Sequence, residues 1–580
     1  MRSRAAVPGR GARRRVAVLA AVLLVVLSAC STVPTSSPTV QITQAPTRPD
    51  GAVGIEPLPP PSGVTPDDVV RGFLDAAASS VPGHPVAREH LAPEPARVWS
   101  DESGITVLGQ DYATVTTDSG SVEVTASVVG TIDQRGVFTV GGEELFTYEF
   151  TLQQVEAEWR ITNPPDGLLI LQPDFERLYE RRDLYFIDPT GRRVVPDPRY
   201  LIGGDAQPTV LVERLLGGPS STLAAGVGNR LAGTTLNSTV TVSAQTVTVD
   251  LAGLADRPPA ELAELCAQLV WTLRPLARSV AIRADGASLD LEGVPAVQTI
   301  DDWTAFGPDA VPVDAVGHFV DAGALRTVAG EPAPGPAGAG AYGLTAAAVS
   351  ADARTGELTD MVGSVVRDGQ TTLLSGAYGG DLVPVLSGAT LSAPTVAATR
   401  REFWVVRDGS AVVRVPAEGQ AQAVIAPTLP GPGRATVLQL SPDGVRAAVV
   451  LEDAQGASLF VGTVVRSDEG PVALRDLREV APTLTRVVDV AWRTAGSLLV
   501  LAGDADEGRI EPYSLGVDGW GLTDVPTSGL PSQPTGVAAA PGRPALVSAD
   551  GTIWQLAGGT WVTLLRGQQP LPGNEPFYPM

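Results

Sequence analysis

Apolar and polar positions divide this chain into stretches of different period. Val16 to Leu27 is an unbroken apolar run behind six arginines, and it is shorter than the roughly 20 residues a hydrocarbon core requires. Residues Ser31 to about Val64 have no period and are rich in Pro, Ser and Thr, which predicts an extended tether. At Thr65-Pro66-Asp67-Asp68 a capping threonine, a first-turn proline and two acidic residues open a helix. Val69, Val70, Phe73, Leu74 and Ala77 supply its apolar face. Alternation of period two follows in Ile105–Val107, Ser121–Ala126 and Leu145–Phe150, with Glu158-Trp159-Arg160-Ile161 as the last strand.

From Leu184 the pattern mixes both periods. A strand runs into Asp188-Pro189-Thr190-Gly191, and a helix over Pro208–Leu216 is stopped by Gly217-Gly218-Pro219. Thr239–Val242 and Thr246–Val249 form a hairpin. Leu262, Leu265, Cys266, Leu269 and Leu273 mark a second helix, and Val280–Arg283 a final strand. From about Val311 only short strands remain. They are set off by Asp-Gly turns at 368–369, 408–409, 443–444, 518–519 and 550–551. A weak repeat starts at Ala347, Leu391, Leu440, Val490 and Ala539, each copy leading into an apolar strand. Its period of about 45–50 residues predicts a β-propeller of about six blades, five or seven being the neighbouring counts. A pair of β-sandwiches is the alternative.

Composition narrows the function. The formal net charge is −23, and removal of residues 1–29 with their six arginines takes it to −29. Such a polyanion disfavours nucleic acid and anionic lipid surfaces as partners. All 41 basic residues are arginine, which together with the Ala/Val/Gly bias points to a high-GC bacterium. There are two cysteines, Cys30 and Cys266, so no disulfide framework is expected if Cys30 is modified. Cys266 reads as a buried core thiol. His84, His90 and His318 are too few and too scattered for a closed zinc site. Asp504, Asp506 and Glu507 read as an exposed acidic loop rather than a calcium site, because Gly508 comes one position early. Gly338-Ala339-Gly340-Ala341-Tyr342-Gly343 matches a dinucleotide-binding string, but the strand and helix that give the string its chemistry are not predicted around it. No catalytic, metal or cofactor-binding residues are assigned, no cofactor is expected, and an enzyme is not the expected class.

Leu27-Ser28-Ala29-Cys30 resembles the lipobox of bacterial lipoproteins. The resemblance implies a signal peptide over 1–29, cleavage before Cys30, a diacylglycerol on its thiol, and an acyl chain such as palmitate on the new amino group. An ordinary secretory signal or an uncleaved anchor is the alternative. The segment 65–172 resembles the NTF2-like cone, with a cystatin-like sheet as the near alternative. The segment 180–295 resembles the GerMN domain through Tyr185–Pro189, Val212–Pro219, Thr248–Leu251 and Gln268–Leu273, which implies an α+β module with no catalytic residues to carry over. Ser441-Pro442-Asp443-Gly444 resembles a blade motif of TolB-type and WD40-like propellers, in the unit at 311–580.

Lipobox, tether over 30–64 and these three modules, in this order, resemble the actinobacterial lipoprotein LpqB family. The resemblance implies a lipid-anchored protein on the extracytoplasmic face of the cell membrane. Its implied partner is the extracytoplasmic domain of a sensor histidine kinase, MtrB of the MtrAB two-component system, with effects on cell-wall homeostasis and division. A receptor for a small ligand or cell-wall glycan is the second class, and an envelope hydrolase the third. No residue for a partner contact can be carried over.

Overall fold

A computed structural model describes residues 57–580, apart from 143, 310–314, 353–354, 397–399, 428, 430–432, 467–470 and 504–507. Cys30, most of the tether and the acidic residues 504, 506 and 507 lie outside the described residues. The helix Pro66–Ala77 begins as its chemistry predicts. The Asp68 N–H donates to the Thr65 hydroxyl oxygen (3.3 Å), and the Thr65 N–H donates to the Asp68 carboxylate (3.1 Å). Its buried face, Val69, Val70, Phe73 and Leu74, rests on a five-stranded sheet. The long strand Val122–Ile132 pairs with Ile105–Thr116 on one side. On its other side it pairs in turn with Phe138–Val140 and Leu145–Phe150. Glu158–Ile161 is not the last strand of this sheet. It forms a separate hairpin with Leu152–Val155 and a parallel bridge from Ile161 to Leu91, and the sheet ends instead with Leu168–Leu171, parallel to Ile105–Thr116. A parallel strand buried on both faces is uniformly apolar, and Leu-Leu-Ile-Leu carries no alternation to announce it.

No linker separates the first module from the second. The helix Gln172–Leu178 runs directly into the strand Tyr179–Ile187, which forms a two-stranded ribbon with Val194–Ile202. Pro196 and Pro198 sit in that second strand, which pairs on one side only, as proline requires. The remaining sheet has six strands around a central parallel pair, Thr246–Ala252 with Ser279–Ala284, which the helix Pro259–Leu273 connects. Thr241–Ser243 completes the predicted hairpin through Ala244 and Gln245, both at positive φ. Cys266 is fully buried on the crossover helix, and burial pushes its thiol up to about 11.

The last module is a six-bladed propeller. Five blades follow the chain: Leu344–Gly388, Thr395–Ala423, Arg434–Glu479, Arg486–Asp524 and Pro534–Pro572, here blades 1 to 5. Blades 3 and 4 form one continuous sheet through a single bridge, Ala457 to Arg486. Blade 6 is assembled from both ends of the module, with Asn574–Phe577 innermost, then His318–Asp321 and Ala324–Thr327. The innermost strands meet in a ring, and apolar cores fill the gaps between blades, as Trp404, Leu438 and Val449 do between blades 2 and 3. Each copy of the weak repeat marks the start or end of an innermost strand. Gly335–Gly338 forms one helical turn and Leu344–Ala351 a strand, the reverse of the order a dinucleotide loop needs.

Candidate functional site

Three of the five Asp-Gly pairs are hairpin turns with both residues at positive φ: 368–369, 408–409 and 550–551. At 443–444 and 518–519 only the glycine is, and the aspartate side chain is turned inward. These two turns, on blades 3 and 4, dock against the proline-bearing ribbon of the second module.

At the first turn, Asp443 is fully buried and its Oδ1 accepts from the N–H of Val445 (2.9 Å). Arg446, 4% exposed, donates from Nη2 to the Pro196 carbonyl and sets Nη1 3.6 Å from Asp443 Oδ2. Burial pushes the Asp443 carboxyl up, and the Arg446 guanidinium opposes that rise. On the ribbon side, Asp197 accepts from Arg199 Nη2 (2.9 Å) and from the Ser220 N–H (2.7 Å). Burial works to raise Asp197, but the Arg199 charge and these hydrogen bonds hold it below the ordinary carboxylate range.

At the second turn, Asp518 accepts from the Tyr200 hydroxyl (3.0 Å) and from the Trp520 N–H (3.2 Å). The Trp520 indole then enters an aromatic cluster drawn from all three modules. Its centroid lies 5.0 Å from Phe138, 5.1 Å from Phe175 and 5.4 Å from Tyr200. Arg135 of the first module donates to the Gly217, Gly218 and Pro219 carbonyls, just past the end of the helix Gln207–Leu216. Buried charge pairs, an aromatic cluster and a helix end thus tie the modules together, and the described residues from 57 to 580 form one compact unit.

The titratable groups singled out in the sequence sit apart from one another. His90 packs against Gly72 and donates from Nδ1 to the Val86 carbonyl (3.0 Å), its ring pKa lowered by burial. His318 lies between the Val316 carbonyl and the Tyr378 hydroxyl, and burial lowers it to about 4. Among the described residues no three His, Cys, Asp or Glu side chains are grouped to hold a metal ion.

Sequence reasoning missed Asp489 and Glu575, which topology alone brings together on the innermost strands of blades 4 and 6. Asp489 accepts from the Val490 (2.8 Å) and Val537 (2.7 Å) N–H groups. Burial, with the Glu575 charge adding to it, pushes Asp489 up to about 7, against 3.8 for the free group. Folded chains therefore hold a proton here that unfolded chains release near pH 4. The stability it gives is complete below that pH and is lost as pH rises through about 7. Asp489→Asn is expected to flatten the stability profile between pH 4 and 7, at the cost of one of the two N–H acceptors. Thermal unfolding across this range checks it, and an unchanged profile would assign the titration elsewhere.

Comparisons with known proteins agree with this architecture. The family described as "Lipoprotein LpqB, N-terminal domain" matches residues 59–176, "Sporulation and spore germination" matches 183–290, and "Lipoprotein LpqB beta-propeller domain" matches 319–579. Lipoprotein LpqB of Mycobacterium tuberculosis (strain CDC 1551 / Oshkosh) is 32% identical, with 91% of this chain and 92% of the relative aligned. That of Thermobifida fusca (strain YX) is 30% identical over 98% of this chain and the whole relative. Among solved structures, TolB from Acinetobacter baumannii aligns with 46% of this chain and 67% of its own, at 9% identity and a TM-score of 0.32. The tandem GerMN domains of GerM from Bacillus subtilis align with 21% and 45%, at 17% identity and a TM-score of 0.18. With the N-terminal module, the germination-type module and the propeller matched in order, and relatives aligned over nine-tenths of their length, the chain belongs to the lipoprotein LpqB family.

Proposed function

We propose that this protein is a non-enzymatic lipoprotein, anchored through Cys30 on the extracytoplasmic face of the membrane. There it binds and modulates the sensor kinase of an MtrAB-type two-component system, and through it cell-wall homeostasis and division. Membership of the LpqB family, found over nine-tenths of the chain, is the observation that carries this reading. The fused modules support it, because a rigid surface loses little conformational entropy on docking. Anchoring adds effective concentration, since a tethered protein meets a membrane-bound partner at a local concentration far above its average. No helix among the described residues is long and apolar enough to cross a membrane, which fits attachment through acyl chains.

Calorimetric titration of the full chain, in detergent or nanodiscs, against the extracytoplasmic domain of the kinase tests the partner. A saturable one-to-one complex is expected. Absence of binding at high micromolar concentration, with both proteins folded, would overturn the direct interaction.

A further inference from the structure

The chain itself crosses one end of the propeller's channel. Beyond the innermost strand of blade 6, residues 578–580 run on to the neighbouring blades. The Met580 N–H donates to the Val349 carbonyl (3.2 Å), and the Met580 carbonyl accepts from the Ala351 N–H (2.7 Å). Both partners lie on the innermost strand of blade 1, and the methionine side chain packs against the core between blades 1 and 2. In the other direction the Tyr578 hydroxyl donates to the Pro544 carbonyl of blade 5 (2.8 Å). Tyr578 and Met580 thereby line a cavity of about 60 Å³ to which the innermost strands of all six blades contribute. Residues 578–580 thus form a strap across the channel end.

The strap hangs from a loosely paired strand. Asn574–Phe577 matches His318–Asp321 at two positions, Val320 with Asn574 and His318 with Phe577. A register shift separates them, where Glu575 adopts a left-handed backbone (φ 50°). On its other side the strand rests against blade 5 at Gly536. A side chain added to Gly536 would start 3.6 Å from Asp489 Oδ2 and 3.7 Å from Pro576 Cδ, so the Asp489 carboxylate and the closing strand share one small space. Asp489 is fixed there by the Val490 and Val537 N–H groups, and the exposed Glu575 is the charge that acts on it. The other titratable or charged groups on the packed strands are Arg434, Arg446, Glu452, Arg486 and Arg493 around Asp489, with His318 and Asp321 beside Glu575. Arg446 pairs with Asp443 and Asp321 with Arg326, while His318 is neutral above about pH 4. Among the described residues neither Asp489 nor Glu575 has an ion-pair partner, so two carboxylates meet with no cation between them.

We propose that Asp489 and Glu575 make the closing strand and its strap a proton-sensitive latch. While the pair holds a proton, strand and strap stay on blades 5 and 1. Loss of that proton sets two carboxylates against each other and loosens residues 574–580 from the channel end. Asp489 keeps its proton up to about pH 7, so the latch is shut in acid and opens as pH rises through that value. The kinase interaction plays no part in this inference, and either can fail without the other. The test is hydrogen exchange of the full chain in detergent, read by mass spectrometry from about pH 5.5 to 8.5 and divided by the intrinsic rate at each pH. The Ala351 amide reports the strap directly, because its acceptor is the Met580 carbonyl. Peptides over 574–580 report the closing strand, and Arg446–Glu452 in blade 3 is the reference. Protection at Ala351 and over 574–580 is expected to fall about tenfold across the range, the equivalent of one pKa unit of coupling. The reference strand is expected to stay constant. Glu575→Gln removes the charge from an exposed side chain and is expected to hold the acid level of protection throughout. Three results would overturn the proposal: corrected protection of the strap that does not change with pH, an equal pH dependence in Glu575→Gln, or a parallel loss in the reference strand.

Discussion

Arg446→Met is expected to lower stability by about 3–5 kcal/mol, the cost of leaving a buried charge without its partner. Methionine fills much of the arginine's volume, so the loss is electrostatic rather than a matter of packing. The Pro196 carbonyl loses its donor, and the fully buried Asp443 loses the guanidinium of its ion pair. Burial already raises the Asp443 carboxyl in the native protein, and removal of Arg446 takes away what opposes the rise. The folded variant then binds a proton more tightly than the unfolded chain does. Its deficit is therefore greatest at neutral pH and shrinks as pH falls and Asp443 becomes protonated. The double variant Asp443→Asn/Arg446→Met, which removes both charges, is expected to be more stable than Arg446→Met alone. Urea unfolding followed by tryptophan fluorescence measures all three. A single variant within about 1 kcal/mol of the parent would show that the pair does not hold the propeller to the second module.

Much of this architecture is legible because local chemistry and tertiary role agree. The capping box at Thr65, the stop after Leu216 and the hairpin through Ala244-Gln245 are short-range devices, and their neighbours in sequence are their neighbours in space. What escapes the sequence is set at long range. Blade 6 joins residues 318–327 to 574–577, so neither half looks like part of a repeat. Val194–Ile202 hides as a strand because its prolines are tolerated only where one edge is free of ladder bonds. All five Asp-Gly pairs read alike, yet 443–444 and 518–519 serve as docking turns, because Arg446, Tyr200 and Trp520 give their aspartates buried partners.

Cys30→Ser is expected to abolish palmitate incorporation and to move the mature protein from the membrane to the soluble fraction. Each acyl methylene in the bilayer contributes about 0.8 kcal/mol, and one chain alone gives only marginal, reversible attachment. A diacylglycerol supplies two chains, and serine offers no thiol to carry it. The apolar run 16–27 is too short to span a bilayer, and a net charge of −29 after residues 1–29 leave is repelled by anionic headgroups. Metabolic labelling with an alkyne palmitate, membrane fractionation at high salt and the mass of the N-terminal peptide together read the result. Equal labelling of parent and variant would refute modification at Cys30. A retained, unlabelled parent whose N-terminal peptide still contains residues 16–27 would identify an uncleaved anchor instead. The same variant separates anchoring from recognition. If its affinity for the kinase domain in solution equals that of the parent while its effect in cells is lost, the lipid acts by raising local concentration and the folded modules carry the contact.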